Sequence, residues 1–446
     1  MSAYTQPSDL DGVLKPIFGE LQWLLPYDCL IQRNTPFAVA DAVGKDFEEP
    51  LQVRTSWGVT YAGSAGDVVA LNDSQPSKTV PAVVKPFLTI LGDKISYGMY
   101  DRGGPGAGKK TFIATSAYTA KNLTQQLRRV LEMSMLCGQD GFGIIESYGT
   151  SPATGRVVVT AASLRTGILA FLEGAKLDIS DAATTTLIAD GSAGAAAGIE
   201  VLSVDIDNRY IVFAALPTLG AGGTVVPAAG QTLFIHGANP SVSATANYME
   251  MVGMQKQISA TTGTIFSINK ATYQATRGNV SASVGAISAG ALTTAAAKAI
   301  NRGFQGEAWC YVSPLTWGEL NARNIAQRVF DSSYKKGEAQ VGTDALKVSA
   351  NGVTLDVRSH SMMSDSTFMI IPKDGPKRIG SAYENSGMVD GEDVNTDISF
   401  MIPGTQEKFV QPVPGFTAVK VECRSDQAIY LPKPAHCVLG TDVTHT

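Results

Sequence analysis

Val53-Arg54-Thr55-Ser56-Trp57-Gly58-Val59-Thr60-Tyr61 sets Val53, Thr55, Trp57, Val59 and Tyr61 on one side of an extended chain. Arg54, Ser56, Gly58 and Thr60 fall on the other side, which is the period of two of a strand. A polar stretch containing Gly and Ser, Ala62–Thr79, follows it. A second strand-like run, Val83–Ile90, completes a long two-stranded hairpin. Pro86 marks that run as an edge, because proline has no N–H to give a neighbouring strand. A hairpin alone is at best marginally stable in water. Trp57 and Tyr61 therefore need a surface to cover, either on their own domain or on another subunit. With Lys78 and Lys85 they are the candidate inter-subunit contacts. Lysines here (Lys78, Lys85 and Lys94) also permit an isopeptide bond to an asparagine, as many surface lysines would.

Outward from the hairpin, residues 1–50 combine an amphipathic piece, Leu10 to Leu25, with proline-punctuated chain, and read as an extended arm. On the other side, Gly103–Gly108 leads to the strongest helix signal. Thr119 is its expected N-cap, Leu123, Leu127, Val130, Leu131 and Ser134 form one stripe, and Gly138 is its expected left-handed stop. About 20 residues make a rod of roughly 30 Å. Arg128 and Arg129 beside the stripe read as a solvated face. Residues 151–245 change texture to short β-rich runs between Gly/Ala loops. Gly198–Asp205 and Tyr210–Ala214 flank the turn signal Asp207-Asn208, and Thr232–His236 is another strand. This is an expected all-β insertion, with Asp190–Gly198 as a surface loop. Beyond Tyr248, helix and strand alternate: helix Ala289–Ile300, strand Trp309–Val312, a helix start at Ser313-Pro314, alternation at Val353, Leu355 and Val357, and strand Phe368–Ile371. Val419, Val421 and Cys423 mark a last half-exposed strand. The fold class is α+β.

Composition bounds the function. The chain has 446 residues, 44% hydrophobic and 17% charged, with a net charge of -5. That suits two or three folding units with a buried core. It excludes dominant disorder and argues against the basic footprint of a dedicated nucleic-acid reader. Five cysteines, an odd number without a C-x-x-C pair, suggest a reducing compartment. The first residues lack a signal-peptide pattern, and no apolar run reaches the roughly 18 residues of a membrane span.

Catalytic motifs are poor. Gly103-Gly104-Pro105-Gly106-Ala107-Gly108-Lys109-Lys110-Thr111 nearly matches the phosphate-cradling loop, but Lys110 stands where a hydroxyl must hold Mg²⁺. Thr111 is one residue late, and the helix begins further on, so a phosphate would lose the helix N-terminus. A nucleotide hydrolase using Lys109 and Thr111 remains the alternative from another class. Ala286-Ile287-Ser288-Ala289-Gly290 is a degenerate nucleophile elbow, with His360 or His436 following in order, yet no buried strand precedes Ser288. His236, His360, His436 and His445 have no ligand spacing. Asp390, Glu392 and Asp393 read as a solvated acidic turn with some capacity for Ca²⁺. The expectation is no enzyme, no cofactor, no metal and no catalytic residue.

The segment Ile268-Asn269-Lys270-Ala271-Thr272-Tyr273-Gln274-Ala275-Thr276-Arg277-Gly278-Asn279 resembles one in major capsid proteins of tailed bacteriophages. A helix, a strand and Val312-Ser313-Pro314-Leu315-Thr316-Trp317 follow it as in that family. The ending Val419–Leu439, with Arg424-Ser425-Asp426-Gln427-Ala428 and Pro434-Ala435-His436, is similar to the family's closing strand. The resemblance covers most of the chain outside the insertion and rests on the order of parts. It implies an arm (1–50), an extended hairpin loop (51–100) lying on a neighbouring subunit, and a linker with the spine helix of the peripheral domain (101–150). It further implies the insertion (151–245), a continuation of the peripheral domain (246–285), an axial domain (286–410) and a returning C-terminal strand (411–446). The implied function is an icosahedral shell of hexamers and pentamers in the virion, assembled in the host cytoplasm. It would enclose double-stranded DNA without sequence-specific binding, helped by a separate scaffolding protein and a portal, with no membrane. A nanocompartment shell of similar fold around protein cargo is the near alternative.

Overall fold

The computed structural model describes residues 29–35, 37–40, 46–62, 64, 69–97, 115–149, 155–183, 186–189, 198–214, 218–219, 223–224, 226–239, 248–327, 346–350, 352–381, 398–399 and 410–445. The amphipathic piece Leu10 to Leu25, the glycine-rich string with Lys109 and Thr111, and the acidic turn at Asp390–Asp393 lie outside them.

The strand marked by Val419, Val421 and Cys423 runs for 13 residues, Ala418–Tyr430, and is not half-exposed: past Cys423 both faces are covered, with Arg424, Ser425 and Gln427 buried beside Ala428, Ile429 and Tyr430. It pairs antiparallel with Phe87–Ser96 from Ala418 opposite Ser96 to Gln427 opposite Phe87. Its other edge takes Val410–Pro412 and Lys377–Ser381, and Phe37–Ala40 joins the latter in parallel. The long helix, Thr115–Cys137, packs on this sheet. Leu123, Leu127 and Leu131 recur every four residues and are buried in one core with Ile95, Val421 and Cys423. Each such side chain contributes about 1.5–3 kcal/mol by leaving water.

Three readings of this helix need correction. It begins at Thr115, so Thr119 is a buried residue of its interior and not its cap. The left-handed residue after it is Gln139, at φ 66°, while Gly138 serves close approach. A Cβ on Gly138 would sit 2.3 Å from the Met251 carbonyl oxygen, and the Gly138 carbonyl accepts from Gly253 N–H at 2.9 Å. Arg129 is not solvated: it is 1% exposed, with Nη1 donating to Gln126 Oε1. Lateral packing decided its environment, and helical periodicity alone does not see that.

After the helix, six antiparallel strands close on themselves. Thr232–Ile235 pairs with both Gly143–Gly149 and Lys176–Ser180. The circuit runs through Arg156–Val159, Tyr210–Phe213 and Ile199–Asp205, with Leu187–Ala189 attached to Lys176–Ser180. Closure leaves few free ladder edges. Ile145, Val157, Val159, Leu177, Ile179, Ile211, Phe213 and Leu233 are all buried. The barrel takes in Gly143–Gly149, which a boundary at 151 leaves with the spine helix, and its core is continuous with that of the helix.

A third, mixed sheet has Gly306–Val312 at its centre, parallel to Val353–Ser359 and antiparallel to Phe368–Pro372. Alternation gives this strand two cores. Ala308, Cys310 and Val312 face a cluster with Leu292, Ala295 and Ala299 of helix Ala289–Ile300. Trp309 and Tyr311 belong to the larger core shared with the long helix. Ser288 caps Ala289–Ile300, its Oγ accepting from Ala291 N–H. That is a capping role and corrects the elbow reading. Ser313 likewise caps Pro314–Gln327 through Thr316 N–H.

The hairpin is displaced from where alternation put it. Its strands are Phe47–Arg54 and Lys78–Val84, with Pro50 directly opposite Pro81. Beyond Arg54, among the described residues, only Trp57 and Gln75 form a bridge. Val83–Ile90 is not one strand. Lys85-Pro86 separates Lys78–Val84 from Phe87–Ser96, and the chain passes there from the hairpin to the first sheet. Proline's locked φ and missing N–H end the ladder at that point.

Candidate assembly surface

The base of the hairpin is anchored. Phe47, Ala82 and Val84 are buried with Ile268, Ala428 and Tyr430, and Phe266 packs edge-on to Tyr430 at 5.2 Å. The distal half is not. Trp57 is 70% exposed and Tyr61 87%, and Val59 and Leu71 join them as exposed apolar side chains. Asn72 holds the two distal arms together, its N–H donating to Thr60 Oγ1 and its side-chain amide to the Val59 carbonyl. Lys78 places its ammonium 5.5 Å from the Tyr273 ring centroid, and Lys85 is exposed at the break between strands. Neighbouring exposed apolar residues on one ribbon form the kind of patch that a monomer seldom leaves in solvent.

A second feature joins three parts of the chain. Glu132, on the long helix, is fully buried. Its Oε1 accepts from Ile31 N–H at 2.6 Å and its Oε2 from Gln32 N–H at 3.1 Å, which satisfies the first donors of the short helix Leu30–Asn34. His360, also fully buried, lies with Nε2 2.9 Å from Oε1. Its Nδ1 accepts from Met362 N–H, so the bridging proton is on Nε2. Asn34 donates to the Tyr311 hydroxyl and Arg378 Nη1 to the Gln32 carbonyl. The arm is thus bolted to the spine helix and to the sheet of Gly306–Val312. Sequence reading missed this network. Its one signal was a charge inside the apolar run Leu131-Glu132-Met133-Ser134-Met135-Leu136.

No family model matches the sequence, and no curated protein matches it. Among solved structures, the capsid asymmetric unit of cyanophage A-1(L) is similar, with a TM-score of 0.51 at 10% identity over 96% of each chain. The chain has the tailed-phage capsid fold. Looser likenesses are the capsid of a native GTA particle (TM-score 0.47, 8% identity, 99% and 100% covered) and the SrpI encapsulin of Synechococcus elongatus (TM-score 0.42, 6% identity, 100% and 99% covered).

On this capsid fold the residues considered for chemistry are scattered. His360 is engaged with Glu132. His236 Nδ1 is 2.8 Å from Asp178 Oδ1, His445 lies between Glu319 and the Asp365 carbonyl, and His436 sits 5.9 Å from the Phe304 ring. Among the described residues no cluster of His, Cys, Asp or Glu could hold a metal, and no helix is long and apolar enough to cross a membrane. No cysteine is in a disulfide, and burial pushes the Cys137, Cys423 and Cys437 thiols up to about 12.

One titration in the capsid fold bears on stability. Glu250 follows the barrel and accepts from Gln139 N–H at 2.7 Å. Burial pushes its carboxyl up to about 7, against the pull of that hydrogen bond and of Lys256. A raised carboxyl stabilises the protonated folded form, so its contribution is complete below about 4.5 and is lost as pH rises to about 7. Glu250→Gln is expected to add roughly 1–2 kcal/mol at pH 8 and almost nothing at pH 4, read from urea titrations at the two pH values. Equal effects at both would show that Glu250 does not titrate in this window.

Proposed function

We propose that this chain is the major capsid protein of a tailed bacteriophage, a structural subunit that assembles into the shell around the phage's double-stranded DNA. The observation that carries the reading is the exposed distal hairpin, with Trp57 and Tyr61 in solvent on a chain of capsid fold. A ribbon of this kind gains burial only against another molecule, and a head-to-tail contact between identical subunits closes into a shell when curvature is right. An ordinary interface of about 1,600 Å² would suffice, because each subunit makes several at once. Hexamers and pentamers of the chain, a separate scaffolding protein and a portal belong to this reading, as does a location in the virion. A net charge of -5 suits a wall that holds DNA without adhering to it, since phosphate neutralisation by Lys and Arg drives nonspecific affinity.

The test is electron microscopy of the purified chain, alone and with a co-expressed scaffolding partner. Closed shells of megadalton mass are expected, and deletion of residues 62–79 should abolish them while leaving a folded subunit. A chain that stays monomeric in both preparations overturns the proposal. Shells filled with a protein cargo in place of DNA would move it to a nanocompartment.

A further inference from the structure

A cleft of about 760 Å³ runs beside the hairpin, between Glu49–Val53 on one side and Gln274–Thr276 and Pro432–His436 on the other. Two features of it stand unused. The first is a strand edge. Phe47–Arg54 pairs with Lys78–Val84 alone, and among the described residues no other strand bonds to its second edge. The second is charge. Arg302 and Lys433 line the cleft, Arg277 is joined to Arg302 through its carbonyl, and Lys298 stands four residues before Arg302 in the chain. Arg302 Nη1 donates to the Arg277 carbonyl at 2.7 Å, Arg277 Nε to the Lys270 carbonyl at 2.6 Å, and Lys298 Nζ to the Val280 carbonyl at 2.9 Å. The bonds of Arg277, Lys298 and Arg302 satisfy donors with neutral carbonyls, and among the described residues no carboxylate pairs with these three cations or with Lys433. Glu49, the carboxylate at the cleft, is engaged by Lys377 at 2.8 Å.

A free strand edge offers N–H and C=O groups that an extended polypeptide can pair with, here on either side of Pro50, which has no N–H to give. Uncompensated cations beside it select an acidic one. Nucleic acid would use the cations but leave the strand edge unpaired, so the combination favours peptide. The chain carries a matching segment in Val389-Asp390-Gly391-Glu392-Asp393-Val394-Asn395-Thr396-Asp397, whose carboxylates are Asp390, Glu392, Asp393 and Asp397. We propose that the cleft of one copy binds residues 389–397 of a second copy, laid in extended form along the free edge of Phe47–Arg54. This rests on the shell reading and names one contact between its subunits.

The experiment uses a fluorescent peptide of residues 387–398 and the full, unassembled chain, read by anisotropy. Saturable binding is expected, weakened at least about tenfold by Arg302→Glu with Lys433→Glu, and weakened by added salt. The milder pair Arg302→Gln and Lys433→Gln should give an intermediate loss. No binding, or equal binding to wild type and the reversed variant, overturns the proposal. So does binding of a short duplex DNA in the same assay with none of the peptide. In assembly, Arg302→Glu with Lys433→Glu should lower shell yield, and adding Asp390→Lys with Asp393→Lys should restore it. A combined variant no better than the cleft variant also overturns the contact. Peptide binding needs no shell, so failure of the shell reading shows separately, as a wild-type chain that never forms particles.

Discussion

Glu132→Ala is expected to remove about 3–5 kcal/mol of unfolding free energy, the scale expected when several buried donors lose one shared acceptor. The carboxylate lies in a fully buried site. It receives two backbone N–H groups of the short arm helix and the Nε2 proton of His360. Alanine would strand all three donors away from water, and each stranded donor costs about 1–3 kcal/mol. Glu132→Gln should cost less, since one oxygen still accepts while an NH2 group now opposes a donor. The double variant Glu132→Ala with His360→Ala should lose less than the sum of the single losses, because the two residues share one interaction. Urea unfolding read by far-UV circular dichroism measures all four variants. A single-variant loss below about 1 kcal/mol would show that the bolt does not hold the arm.

Trp57→Ala with Tyr61→Ala is expected to do the opposite, leaving the subunit's stability within about 0.5 kcal/mol while shell assembly fails. Both rings are mostly in solvent, so truncation removes little that the isolated subunit buries. Aromatic anchors at an interface carry about 2 kcal/mol or more each, or about a 30-fold rise in the concentration needed for association per residue. Thermal unfolding of the monomer and light scattering during assembly separate the two effects. A large fall in the monomer's unfolding temperature would mean that the rings serve their own subunit, and the assembly reading of the hairpin would be lost.

Elements governed by near neighbours were legible. Ser288 before an alanine-rich run and Ser313-Pro314 after an apolar strand both start helices where they stand, because a cap bonds a backbone N–H three residues away. The stripe Leu123, Leu127 and Leu131 is buried as its spacing requires. The alternation of Val53–Tyr61 misled, because two-residue periodicity describes side-chain direction and not whether a partner strand is there. Regular pairing ends at Arg54. Lys78 and Lys85 carry no local mark of what they contact.

Charge inside an apolar helix shows the same division. Arg129 and Glu132 look alike from spacing, as polar residues beside a leucine stripe, and both are buried. The burial of Glu132 depends on the arm helix, the Gly306–Val312 sheet and the loop at His360 converging on one place, over separations such as 228 residues between His360 and Glu132. Local chemistry in the chain determined where helices start, which faces are apolar and where proline breaks a ladder. Tertiary structure alone decided the closing of the barrel, the bolt on the arm and the stranding of Trp57 and Tyr61 in solvent. Those outcomes depend on which distant groups meet, and no short-range pattern encodes that.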